Sequence, residues 1–160
     1  MKPLAIFLVI LVIAAFAGVG YLYFSANLEV SFVECVATDP LTQADYFSSL
    51  KTSLESGTFV GTRYSVPDLP DPENCLFYTW TVRVANKTFL QADTVEIQVT
   101  PMSGDILSIG TTKETVLPAR SETSISATVL TARSMHSVRE ATVTWYVWGL
   151  PFSARITLGR

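Results

Sequence analysis

Three sets of residues carry side chains that could do chemistry. His136, the single histidine, lies in TARSMHSVRE beside Ser134 and Ser137, the residue types of a nucleophile and its base. That chemistry needs a third group to hold the imidazole and a hydroxyl aimed at it, which neighbouring loop positions do not provide, and there is no G-x-S-x-G turn to expose a serine. Asp68, Asp71 and Glu73 in SVPDLPDPEN carry carboxylates of the kind that ligate calcium or act as an acid–base pair. Their spacing matches no calcium loop, and Pro67, Pro70 and Pro72 stiffen the backbone where an ion would need it to wrap, so the stretch reads as a solvated loop.

Cys35 and Cys75 form the third set. In an exported chain an even cysteine count signals a disulfide, and closing a loop of this length is worth about 4 kcal/mol on the chain-entropy account. Two buried free thiols are the alternative. Two cysteines and one histidine do not make a tetrahedral zinc set, and neither G-x-G-x-x-G nor G-x-x-x-x-G-K-[ST] occurs. The chain is therefore expected to be non-enzymatic, with no metal and no cofactor. Asn86-Lys87-Thr88 has the form of an N-glycosylation acceptor, and Asn86 also suits a left-handed turn residue.

The elements that would position these residues begin with an anchor. Leu4 to Phe24 carries no charge across twenty-one residues, about 31 Å of helix at about 1.5 Å per residue, against a hydrocarbon core of about 30 Å. Lys2 precedes the run, and Glu29 and Glu34 are the first charges after it. Positive charge stays on the cytoplasmic side, which predicts residues 1–25 as a transmembrane anchor in contact with lipid through 4–24, and residues 26–160 as an extracytoplasmic domain. Ala15-Phe16-Ala17 would suit a signal peptidase, but cleavage there would leave Gly18 to Phe24 apolar at the new terminus, so the uncleaved anchor is preferred. Gly18 and Gly20 give the helix a small notch, the basis of an alternative in which the chain is an accessory subunit of a larger membrane complex. Beyond Lys2, ten basic residues stand against fourteen acidic ones. The basic residues are scattered singly, which argues against nucleic acid or an anionic lipid surface as a partner.

The remaining chain is mainly β. Leu28, Val30 and Phe32 alternate in a first strand whose pattern loosens near Cys35. Asp39 can cap a helix over about 40–56, with Leu41, Ala44, Phe47, Leu50 and Leu54 as its apolar stripe and Gly57 as its end. Strands follow over Cys75 to Ala85, Asp93 to Thr100, Ile106 to Ile109, Thr115 to Leu117, Glu122 to Ala132, Ala141 to Trp148 and Phe152 to Leu158, the last two joined by Gly149-Leu150-Pro151. Many short strands with one early helix describe an antiparallel β-sandwich.

The segments YTWTVRVANKTFLQADTVEIQVTP, VLPARSETSISATVL and TVTWYVWG resemble extracytoplasmic immunoglobulin-like domains of the cell-adhesion-related (CARDB-like) and late-embryogenesis-abundant-like type. In those families a strand ends at an asparagine, here Asn86, and an l-p-a/g-x-s turn, here Leu117 to Ser121, precedes a later strand. The resemblance implies an immunoglobulin-like β-sandwich that binds or spaces an unknown protein or envelope partner, and it brings no catalytic residue. Such domains bind through end loops, so Asp68, Asp71, Glu73 and His136 are the candidate contact loops. Trp145 faces one side of its strand and Tyr146 and Trp148 the other. Both sides are apolar, so the 40–56 helix is expected to cover Tyr146 and Trp148, and their exposure would point to a binding surface.

Overall fold

The computed structural model describes residues 2–64, 69–110, 115–134 and 138–159. Helix α1 (Lys2–Ser25) comes first. Its span Pro3–Ser25 is long and apolar enough to cross a membrane, and only its last turn meets the rest of the domain. A helix that is hydrophobic on every side suits a lipid environment, because its backbone polar groups are paired within it.

Eight strands and one short helix follow: β1 (Glu29–Thr38), α2 (Ala44–Glu55), β2 (Gly61–Arg63), β3 (Cys75–Ala85), β4 (Asp93–Val99), β5 (Asp105–Ile109), β6 (Glu122–Ala132), β7 (Arg139–Val147) and β8 (Leu150–Leu158). They form a five-stranded sheet, ordered β1-β3-β6-β5-β2, and a three-stranded sheet, ordered β4-β7-β8, with every pairing antiparallel. The sheets pack sandwich-like, and β8 approaches β1 while β4 approaches β6 at the margins.

Alternation decides which side chains enter the main core. From β3 come Trp80, Val82 and Val84, from β6 Ile125, Ala127 and Val129, and from β7 Ala141, Val143, Trp145 and Val147. These positions repeat every second residue, as a pleated strand requires. On the outer face of the five-stranded sheet, hydroxyls pair across strands where no cover reaches, Thr79 with Thr128 at 2.9 Å and Thr81 with Ser126 at 3.2 Å. The loosened pattern in β1 is a bulge: pairing shifts between Phe32 and Glu34, which puts Val33 outside and returns Cys35 to the core side of this edge strand.

The predicted 40–56 helix divides into a 3₁₀ turn, Pro40–Gln43, capped by Asp39 through the Leu41 amide at 3.0 Å, and α2. Phe47 and Leu50 of α2 pack on Cys75, Phe77, Ile106, Leu107 and Leu130, on the outer face of the five-stranded sheet. That placement corrects the expectation that this helix covers Tyr146 and Trp148. Tyr146 is 38% exposed and Trp148 65% exposed on the other sheet. The physical reason lies in β3 and β6: the cross-strand partners Phe77 and Leu130 form an apolar patch on the outer face of the five-stranded sheet, and α2 covers that patch.

The β7–β8 connection is also shorter than predicted. Val147 pairs with Leu150, and Trp148 and Gly149 alone make the turn with φ of 53° and 76°. Positive φ at both central residues is the type I′ geometry that matches strand twist. Pro151 falls in β8, an edge strand, where its missing N–H is tolerated. Thr115 to Leu117 makes no strand, only a bridge between Leu117 and Ala92, while the short β2 had no counterpart in the expected strands.

The disulfide expectation is overturned. Cys35 pairs with Trp80, five residues along β3 from Cys75. That is about 17 Å at about 3.4 Å per residue, where a disulfide needs Cα atoms within about 7 Å. Both thiols are free, and burial raises the pKa of each.

One ion pair lies wholly inside. Arg139 Nη2 donates to Asp105 Oδ1 at 2.7 Å, both side chains being 0% exposed, and Asp105 Oδ2 accepts the Met102 amide at 2.7 Å. Arg139 sits at the inward parity of β7, in line with Ala141 and Val143. Removing one partner strands a buried charge. Asp105→Ala is expected to destabilise the domain by about 3–5 kcal/mol. Replacing the pair together, Asp105→Leu with Arg139→Met, should recover most of that loss in denaturant midpoints measured in detergent micelles.

Candidate functional site

The end of the sandwich at which α1 enters is the most elaborately built surface. Ala26, directly after α1, is buried, and its carbonyl accepts a hydrogen bond from Trp145 Nε1 at 3.0 Å. The Trp145 ring stacks on Phe152 at 6.1 Å between centroids, and Phe152 meets Tyr23 of α1 at 5.1 Å. Leu22 packs against the main core. The last turn of the helix is thus tied to the β7–β8 pair as well as to the chain that follows it.

Beside this junction, Asn86 organises two loops. It is buried, its Nδ2 donates to the carbonyls of Leu90 at 2.7 Å and Pro118 at 3.0 Å, and its Oδ1 accepts from the Thr88 amide at 3.0 Å and hydroxyl at 2.8 Å. Its own amide donates to Ser121 O at 2.8 Å. Asn86 therefore joins the turn after β3 to the Leu117–Ser121 turn before β6. The left-handed residue in these turns is Arg120, with φ of 53°, and not Asn86. Both ends of the Asn86 amide are engaged within the folded domain.

Lys87, Phe89, Arg120, Trp148 and Leu150 stand exposed around this end. Lys87 pairs with Glu29 at the start of β1. Trp148 is the most exposed large apolar side chain outside α1 among the described residues. A bulky residue at positive φ is uncommon, and the left-handed conformation costs about 1–2 kcal/mol relative to right-handed geometry. Its signal in the sequence is Trp-Gly between two alternating strands, the second position having the glycine a type I′ turn favours.

The candidate contact residues lie elsewhere. Asp68 and His136 fall outside the described residues. Asp71 and Glu73 are exposed in a turn at the far end, before β3. Among the described residues no group of three or more His, Cys, Asp or Glu side chains comes together. Glu73 contributes its carbonyl, which accepts from Arg133 Nε at 2.8 Å, and Arg133 Nη2 donates to Asp39 at 2.6 Å. That hydrogen bond, with the Leu41 amide, holds the Asp39 carboxyl below its ordinary pKa. The three residues pin the end of β6 to the helix cap.

A cleft of about 750 Å³ opens between β4 and the β2–β5–β6 part of the other sheet, with Tyr64 and Glu96 as its titratable lining residues. Ser108, Ser124 and Ser126 line it too. Comparison with known proteins returned no matching protein-family model and no match among curated proteins.

Asn86→Ala removes a buried amide that joins two turns and leaves the buried Leu90 carbonyl without its donor, and is expected to destabilise the domain by about 1–3 kcal/mol. Thermal melts of the variant beside the native chain check this.

Proposed function

We propose that this chain is a non-enzymatic, single-pass membrane protein whose immunoglobulin-like β-sandwich stands outside the cytoplasm and binds or spaces a partner at the cell envelope. The observation that carries this reading is the junction at Ala26. A helix of membrane-spanning length is fastened to a β domain by a core tryptophan, which suits a module that must be presented at a fixed height over a bilayer. The resemblance of the Asn86 and Leu117–Ser121 segments to envelope domains points the same way, since Asn86 joins those two segments.

The orientation follows from charge: Lys2 on the cytoplasmic side and the acidic domain outside. It is tested with single cysteines in a chain whose Cys35 and Cys75 are replaced by alanine. Lys51→Cys, on the exposed side of α2, should react with a membrane-impermeant maleimide on intact cells, and Lys2→Cys only after permeabilisation. The reverse pattern would overturn the assignment.

A further inference from the structure

Trp148, 65% exposed, stands at the tip of the β7–β8 hairpin on a backbone that favours glycine or asparagine. Strain at an exposed aromatic raises the question of what that side chain touches. The position of the tip answers it. β7 begins with the Arg139–Asp105 pair at the far end and reaches the level of α1 at Trp145, which bonds Ala26, while Phe152 opposite it meets Tyr23. Three more residues carry β7 to Trp148, about 10 Å at about 3.4 Å per residue. The tip thus extends past the junction at the end of the domain from which the helix leaves.

We propose that the β7–β8 hairpin tip is a second membrane contact, in which Trp148 sits at the boundary between headgroups and acyl chains of the bilayer that α1 crosses. This rests on α1 spanning the membrane. Three observations favour lipid over any other occupant. The surface is continuous with α1, whose exposed Tyr21 and Phe24 occupy the same end. The chemistry matches, since an indole with an apolar body and one N–H donor partitions to that boundary. Leu150 and Phe89 add exposed apolar area at this end, where Arg120 is an exposed cation and Lys87 is paired with Glu29. Two contacts, a helix and a hairpin, would fix the rotation and tilt of the domain on the membrane, where one helix alone leaves both free.

The full chain reconstituted in phosphatidylcholine vesicles provides the test. Trp80 and Trp145 are buried, so the difference in emission between the native chain and Trp148→Asn belongs to Trp148. The variant makes an Asn-Gly turn, which suits type I′ geometry and preserves the hairpin. The difference spectrum should be blue-shifted, several-fold protected from iodide relative to free N-acetyltryptophanamide, and quenched several-fold more strongly by lipids brominated high on the acyl chain than by lipids brominated near its end. A water-like spectrum open to iodide, from chains that still float with carbonate-washed vesicles, would overturn the proposal while leaving the anchor intact, and would assign the tip to a protein partner. Chains that fail to float would overturn the anchor and this contact together.

Discussion

One hydrogen bond, from the indole N–H of Trp145 to the carbonyl of Ala26, connects the two environments of this chain. The donor belongs to the core of a β domain and the acceptor closes an apolar helix. The bond itself contributes about 1 kcal/mol, and the Trp145–Phe152 stack about 0.5–1.5 kcal/mol more. With Ala26, Leu28 and Leu22 packed around it, the junction holds the helix at one place on the domain. Without it, a connection of only Ala26, Asn27 and Leu28 would act as a swivel. The position of the sandwich, its loops and its hairpin tip relative to a membrane all depend on this contact.

Polar groups buried near each end of the sandwich serve a related purpose. Asn86 ties together the turns nearest the helix, and Arg139 with Asp105 closes the opposite end. Each leaves few alternative arrangements, because moving a strand by one residue would strand an amide or a charge in apolar surroundings. The helix α2 completes the far end by covering Phe77 and Leu130, which frees the outer face of the three-stranded sheet and leaves Tyr146 and Trp148 in the open.

Much of this was legible in the residues. Alternation in β3, β4, β6 and β7 set which side chains point inward, and the charge-free run set the long apolar helix α1. What eluded a linear reading depends on neighbours distant in sequence. The helix stripe of Phe47 and Leu50 specifies that something is covered but not which sheet, since both sheets present an outer apolar patch. Cysteine count suggested a bridge, while the register that sets Cys35 against Trp80 appears only once β1 and β3 are paired. Asn86 was visible as part of an N-x-T motif, yet its hydrogen bonds to Leu90 and Pro118 come from the fold. Arg139 carried a usable signal, a charge at the inward parity of an otherwise apolar strand, and its partner Asp105 did not.

The most direct test of rigid attachment is the distance between helix and domain in a bilayer. Nitroxides placed at Ala17 in α1 and Thr157 in β8, both exposed, in a chain lacking its own two cysteines and held in lipid nanodiscs, report that distance by electron–electron double resonance. A single narrow distribution that broadens when Trp145 is replaced by phenylalanine is the predicted result. A broad or multiple distribution in the chain that keeps Trp145 would contradict the account, because the helix would then be a flexible tether and the domain free to turn above the membrane.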